Sequence, residues 1–112
     1  MPDDPYQVVE HLGAIYDIEE MLDRIRVKSD LETAVEWDNR LRRSLHALGN
    51  MPKKFPVFAD APPRAVYRTH FEQLRHIYYE VFEAERVVRV LYVWHGHRDD
   101  TPDLARQNDP LV

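Results

Sequence analysis

The apolar residues of this 112-residue chain change from a helical spacing to a strand-like composition in its second half. Ile15, Ile18, Leu22 and Ile25 recur at three- and four-residue steps, which predicts an amphipathic helix beginning near Leu12. Beyond residue 64, β-branched and aromatic residues dominate, which is typical of strands. Helices followed by a run of strands predict an α+β domain.

A second helix is predicted to begin at Ser29, because Ser29 and Glu32 have the spacing of a capping box. Gly49 and Pro52 are predicted to end it. The linker between the helices is short, so they are predicted to form an antiparallel helical hairpin. The apolar stripe of the second helix is expected to comprise Leu31, Ala34 or Val35, Leu41, Leu45 and Leu48, with Trp37 beside it.

Four strands are predicted, over residues 6–9, 64–69, 74–82 and 87–94. The Pro-rich segment 50–64 is expected to be a surface loop. Simple alternation in the last strand would place Val88, Val90, Tyr92 and Trp94 on one face, and Val87, Arg89, Leu91 and Val93 on the other. The expected order is β-α-α-β-β-β, with the helical hairpin packed on a small antiparallel sheet.

The length predicts a single domain, residues 1–112, with one core. Residues 1–5 are expected to be a flexible leader and residues 99–112 a loosely held polar tail. The chain has no cysteine, which excludes disulfides and cysteine-based zinc sites. No apolar run has the length of a membrane span and no signal peptide is visible, so a cytoplasmic location is expected.

The formal net charge of -5 is unevenly distributed along the chain. Residues 1–40 carry 11 acidic and 4 basic side chains, whereas residues 41–98 carry 5 acidic and 10 basic ones, with five of the six histidines. Residues 99–112 are acidic again, with 4 acidic side chains and 1 basic one. An anionic partner is therefore expected to bind the second half of the chain.

Three segments resemble the RelE/ParE superfamily of toxins from bacterial type II toxin–antitoxin modules. They are residues 33–37 with Arg40 and Leu41, residues 74–81, and residues 90–99, where a strand ends in a His-Gly-x-Arg-Asp step. This last step is similar to the ParE-like branch in particular. The resemblance covers about residues 6–104 and implies the β-α-α-β-β-β fold.

The resemblance also implies a tightly bound protein partner. This partner is a cognate antitoxin, which wraps the toxin in a hetero-oligomer and blocks its inhibition of growth. ParE-like members are thought to inhibit DNA gyrase, and such modules are associated with plasmid stabilisation. RelE-like members instead cleave mRNA on the ribosome, so the branch decides whether the chain is an enzyme.

For a ribonuclease, the resemblance implies three functional residues. Arg75 aligns with a phosphate-binding arginine, Arg68 with another basic position, and His95 with the residue that contacts the attacking or leaving oxygen. Two positions depart from the RelE-like pattern: Val66 replaces a second basic residue, and Thr101 lies near the place of a tyrosine. RNA cleavage needs a general acid or base and cations around one phosphate, so this incomplete set makes the ribonuclease the weaker hypothesis.

Basic and aromatic residues of the second half are the candidates for binding the antitoxin or the target. Structural roles are the alternatives: Arg75 could pair with Glu72 or Glu80, and His95 could bond to the backbone or to Asp99. The tyrosines and Trp94 could instead belong to the sheet core. The candidate binding residues are Arg64, Arg68, Arg75, Tyr78, Arg89, Trp94, His95 and Arg98.

The first helix is expected to expose four acidic side chains, which are Asp17, Glu19, Glu20 and Asp23. Because RNA binding depends on accumulated cations, this acidic surface favours a protein target. The first hypothesis is therefore a ParE-like, non-enzymatic inhibitor of a protein such as gyrase. The alternatives are a RelE-like ribosome-dependent mRNA endoribonuclease and an inactive relative that only binds antitoxin. No cofactor is expected, and no metal site, because His95 and His97, with Asp99 or Asp100 nearby, lack an evident third fixed ligand.

Overall fold

Two helices pack on one face of a five-stranded sheet in a computed structural model, which describes residues 4–72, 75–95 and 101–111. The elements are β1 (Gln7–Glu10), α1 (Leu12–Lys28), α2 (Leu31–Ala47), β2 (Val57–Ala61), β3 (Arg64–Phe71), β4 (Arg75–Phe82), β5 (Val87–His95) and a short 3-10 helix (Ala105–Asn108). The sheet order is β1-β5-β4-β3-β2. Strands β2 to β5 are antiparallel neighbours, and β1 runs parallel to β5. The predicted fold class is confirmed, and the parallel pair makes the sheet mixed.

Strand β2 lies within segment 50–64, for which we predicted a loop. It is an edge strand that pairs only with β3 among the described strands. Pro56 precedes it and Pro62 and Pro63 follow it, so no proline occupies a position inside the strand. A five-residue strand between prolines looks like a loop in the sequence, and only its pairing with β3 reveals it.

Helix α2 begins one residue later than the capping-box prediction. Asp30, and not Ser29, is the N-cap residue, because its carboxylate accepts a hydrogen bond of 2.7 Å from the Thr33 N–H. This hydrogen bond is the largest cause that lowers the pKa of Asp30. The buried stripe of α2 contains Ala34, Trp37, Leu41 and Leu45, whereas Leu31 and Val35 are exposed.

We expect Asp30→Ala to lower the urea midpoint of unfolding and Ser29→Ala to leave it nearly unchanged, since only Asp30 caps the helix. A carboxylate with a lowered folded-state pKa stabilises the fold above its unfolded-state pKa and loses this effect as the pH falls. The difference between wild type and Asp30→Ala should therefore shrink below about pH 4. Equal effects of the two substitutions on the midpoint would contradict the assignment.

The helices cover the inner face of the sheet, and a smaller apolar cluster lies on the outer face. The inner core joins residues of both helices to the sheet and includes Ile18, Trp37, Leu41, Leu45, Phe71, Ile77, Tyr79, Val81, Val88, Val90 and Val93. The outer cluster consists of Val66, Tyr78, Leu91 and Tyr92, with Phe58, Ala59, Trp94 and Leu104 packed against it. In the described part of the chain, neither helix is long and apolar enough to cross a membrane.

A β-bulge in β5 changes which of its residues share a face. Tyr78 pairs with Tyr92, but Tyr79 pairs with Val90, so Leu91 is an extra residue in the ladder. Leu91 and Tyr92 consequently both belong to the outer cluster. The alternation that we predicted for this strand was wrong, because a bulge shifts every later side chain to the other face. The inner face of β5 carries Val88, Val90 and Val93.

Residues 101–111 form a strap that lies against the outer face and the edge of the sheet. Leu104 packs on the outer cluster, and Pro102 and Gln107 are buried. The Arg106 guanidinium pairs with Asp17 of α1 at 2.8 Å. Charged side chains of the segment that we expected to be a loosely held tail therefore have partners in this structure, and only the fold brings these partners near. Residues 1–3 of the predicted leader lie outside the described residues.

Candidate functional site

The arginines implied for RNA cleavage lie on opposite faces of the sheet. Arg68 is directly opposite Tyr78, a member of the outer cluster. Arg75 is directly opposite Phe71 of the inner core, and its guanidinium carbon is 5.9 Å from the centre of the Trp37 ring. Directly opposite residues of an antiparallel pair project from the same face of a sheet. Arg68 and Arg75 therefore do not converge on one phosphate position.

His95 lies at the end of β5, directly opposite Arg75 in the register with β4. The structure thus brings two of the three implied residues together at one end of the sheet. A cavity of about 420 Å³ separates this end of β5 from helix α1. It is lined by Asp17, Glu20, Met21, Arg24, Val93, Trp94 and His95.

The two carboxylates considered as partners of Arg75 differ in their position relative to it. Glu72 forms an ion pair with Arg40 at 3.1 Å. Glu80 is directly opposite Val66 and projects from the outer face, so it is wrong as a partner of Arg75. Burial is the largest cause that lowers the pKa of Arg75, and the charge of Glu72 partly opposes this effect.

Glu80, Arg64 and Arg89 form an ion-pair cluster beneath the strap. Glu80 is fully buried and accepts hydrogen bonds from Arg64 Nε at 2.8 Å and Arg89 Nε at 2.7 Å. Arg89 is 3% exposed and also donates to the Pro110 carbonyl at 3.0 Å. The Gln107 side-chain amide donates to the Arg64 carbonyl at 2.8 Å. Both arginines, which we predicted to bind a partner, hold the strap against the sheet in this structure.

Tyr78 is fully buried, so it belongs to the sheet in this structure and not to an exposed surface. Its ring lies 4.9 Å from the Phe58 ring and 6.4 Å from the Tyr92 ring, measured between centres. Tyr92 is buried as well, and its hydroxyl donates to Asp103 of the strap at 3.1 Å. Trp94 remains partly exposed at the end of β5. Of these three aromatic residues, Tyr78 and Tyr92 are buried and Trp94 is partly exposed.

Several described residues on the outer face remain partly or fully exposed, and we call five neighbouring ones the outer patch: Phe58, Arg68, His70, His76 and Trp94. His70 and His76 are directly opposite, and their ring centres are 4.6 Å apart in an edge-to-face arrangement. His76 is also directly opposite Trp94. The Arg68 guanidinium carbon is 5.3 Å from the centre of the Phe58 ring.

The electrostatics of the outer patch disfavour a charged His76 in the free protein. Burial is the largest cause that lowers the pKa of His76, followed by the neighbouring charges of His70 and Arg68. Sequence reasoning missed both histidines. They lie two residues from Arg68 and from Tyr78, so strand alternation was a signal that could have placed them on the same face.

Arg98, the remaining candidate binding residue, lies outside the described residues. So do His97, Asp99 and Asp100 of the metal alternative. Within residues 4–72, 75–95 and 101–111, no group of three or more histidine, aspartate or glutamate residues is arranged to hold a metal ion.

Comparisons with known proteins agree with this architecture. A family model described as the ParE toxin of the type II toxin–antitoxin system, parDE, matches residues 11–100. A chain from the chromosomal ParDE system of P. aeruginosa is similar in structure, with a TM-score of 0.67 and 13% identity, over 80% of this chain and 95% of that one. A chain of the toxin–antitoxin complex RelBE2 from Mycobacterium tuberculosis has a TM-score of 0.54 and 20% identity, over 86% of this chain and 94% of that one.

At these identities, the structural likeness shows the fold alone. A search of curated protein sequences finds no match. The family model, however, covers most of the chain, including both helices and strands β2 to β5. The protein therefore belongs to the ParE family of toxins of type II toxin–antitoxin systems.

Proposed function

We propose that the protein inhibits growth by binding a protein target, with DNA gyrase as the target, and that a cognate antitoxin neutralises it in a hetero-oligomer. The observation that carries the choice of a non-enzymatic inhibitor is the separation of Arg68 from Arg75 by the sheet. A ribonuclease has to stabilise the charge that develops on one phosphate with several groups at once. Groups on opposite faces of a sheet are poorly arranged for that task.

The charge distribution supports a protein target in the cytoplasm over ribosomal RNA. Helix α1 exposes Glu19, Glu20 and Asp23, and the whole chain has a net charge of -5. Ribosome-dependent cleavage would require this acidic surface to approach a dense array of phosphates. Affinity for such an array rises with the number of phosphates that cations neutralise, so the acidic surface opposes it.

We expect the purified protein to inhibit supercoiling by DNA gyrase and to leave a reporter mRNA intact in a translation extract. Where a short reading frame lies next to the gene, its polypeptide is the candidate antitoxin, and its addition should restore supercoiling. Supercoiling is read on agarose gels and mRNA by primer extension, with heat-denatured protein as the control.

The possible results separate the alternatives. Cleaved mRNA with normal supercoiling would show the RelE-like ribonuclease instead. Loss of that cleavage in both Arg75→Ala and His95→Ala would then place the reaction at the end of the sheet where these residues meet. If neither activity is observed and induced expression does not slow growth, the protein is an inactive relative.

A further inference from the structure

Among the residues that the structure describes, the outer patch combines cationic and apolar groups without a carboxylate of its own. Arg68 is the permanently charged residue of the patch. Its guanidinium group lies over the Phe58 ring. His70 is exposed, and His76 is partly exposed. The nearest acidic residue on the same strand face, Glu80, is already paired with Arg64 and Arg89. The chemistry that complements this surface is therefore a carboxylate next to an apolar side chain.

The strap is itself a segment with carboxylate and apolar side chains, and it binds to the neighbouring half of the outer face. Asp103 accepts a hydrogen bond from the Tyr92 hydroxyl, and the next residue, Leu104, packs on the outer cluster. Further along, Asp109 lies 2.5 Å from the His11 ring nitrogen Nε2. An acidic and apolar segment thus already occupies one half of the face, and the outer patch continues the same surface beyond it.

We propose that the outer patch docks an acidic segment of the antitoxin, and that this docking takes up a proton on His76. Carboxylates of the segment bind Arg68 and the two imidazoles, and an apolar side chain lies against Phe58 and Trp94. This inference rests on the proposed antitoxin partner. It specifies the surface that binds this partner and the way in which pH changes the affinity.

The proton uptake follows from the groups that surround the two imidazoles. Strand β3 contributes Arg68, strand β4 the ring of Tyr78, and the flanking strands contribute the uncharged rings of Phe58 and Trp94. In the free protein, burial and neighbouring positive charge lower the pKa of His76. An arriving carboxylate favours the charged imidazole and raises that pKa. Since binding then includes a proton, the affinity must increase as the pH falls through the histidine range.

An acidic protein segment fits this surface better than a nucleic acid does. Within the described part of the chain, the patch offers one permanent cation, and the histidines are the remaining basic groups on it. Phosphate backbones are bound by accumulated permanent charges, each of which adds to the salt dependence. One arginine beside two imidazoles instead suits a few carboxylates at defined positions.

The test measures binding of the purified candidate antitoxin to the full-length protein by calorimetry at pH 7.5 and pH 5.5, in roughly equal salt. We expect the affinity to rise about ten-fold at the lower pH. The heat of binding should also depend on the ionisation enthalpy of the buffer, and this dependence gives the number of protons taken up on binding. Arg68→Gln and His76→Gln should each weaken binding about ten-fold at pH 5.5. His76→Gln should also remove most of the pH dependence.

Arg43→Gln and His46→Gln are the matched controls, because both side chains are exposed on helix α2, away from the outer face. Both controls should bind like wild type, and thermal unfolding should confirm that all four variants fold. Wild-type affinity of Arg68→Gln and His76→Gln would overturn the inference and leave the proposed antitoxin intact. No binding by the wild type would overturn the proposed antitoxin as well. If Arg68→Gln instead abolishes binding of a short single-stranded RNA and leaves the polypeptide bound, the patch is a nucleic-acid site and the inference is wrong.

Discussion

The Glu80→Gln variant should lose about 3 kcal/mol of unfolding free energy relative to the wild type. Glu80 is fully buried and is the carboxylate that Arg64 and Arg89 share, at 2.8 Å and 2.7 Å. The substitution keeps the shape of the side chain but leaves the guanidinium of Arg89, which is 3% exposed, without its counter-charge. Urea unfolding followed by circular dichroism measures the loss.

Two further variants distinguish an unpaired charge from a general disturbance. Glu85→Gln removes the same charge from the exposed turn between β4 and β5, so it should change the stability by less than about 0.5 kcal/mol. The double variant Glu80→Met with Arg89→Met should be more stable than Glu80→Gln, because no buried charge then lacks a partner. A Glu80→Gln variant as stable as Glu85→Gln would show that the ion-pair cluster contributes nothing.

The second large effect should come from the inner core, where Leu41→Ala is expected to cost about 3 kcal/mol. Leu41 is fully buried between helix α2 and the sheet, and it belongs to the same apolar cluster as Ile18 and Tyr79. Truncation to alanine removes apolar contacts and leaves a cavity that rigid neighbours fill only partly. Because a small domain has a net stability of about 5–15 kcal/mol, the variant should also arrest growth less efficiently when expressed.

The same helix supplies a control with the same chemical change. Leu31 begins α2 but is 63% exposed, so Leu31→Ala should change the unfolding free energy by less than about 0.5 kcal/mol. Similar losses for Leu41→Ala and Leu31→Ala would contradict the packing of α2 on the sheet. Urea unfolding of both variants in parallel makes the comparison direct.

The fold could be predicted because its determinants are local. The three- and four-residue spacing from Ile15 to Ile25 specifies a helix face, and this spacing is present in the sequence whether or not the sheet forms. Strand β2 could not be predicted in the same way. Its five residues acquire their structure from the hydrogen bonds with β3, which are contacts that no local pattern reports.

The candidate site was harder to predict, because sequence patterns identify the charge of a residue and not its partner. Arg64 and Arg89 appeared to be available cations, yet both pair with Glu80 beneath the strap. The bulge at Leu91 moved Tyr92 to the outer face, where its hydroxyl meets Asp103. Conversely, His70 and His76 received no role from the sequence, although they form the centre of the outer patch.

By itself, the sequence determined two amphipathic helices, four of the five strands, their order and the family resemblance. These features follow from the spacing of apolar residues and from short motifs, both of which act over a few neighbouring positions. Only the tertiary structure decided which charges are buried and which remain exposed, because strand register and the bulge set the face of every side chain. It thereby separated Arg68 from Arg75 and brought Arg68 next to His70 and His76.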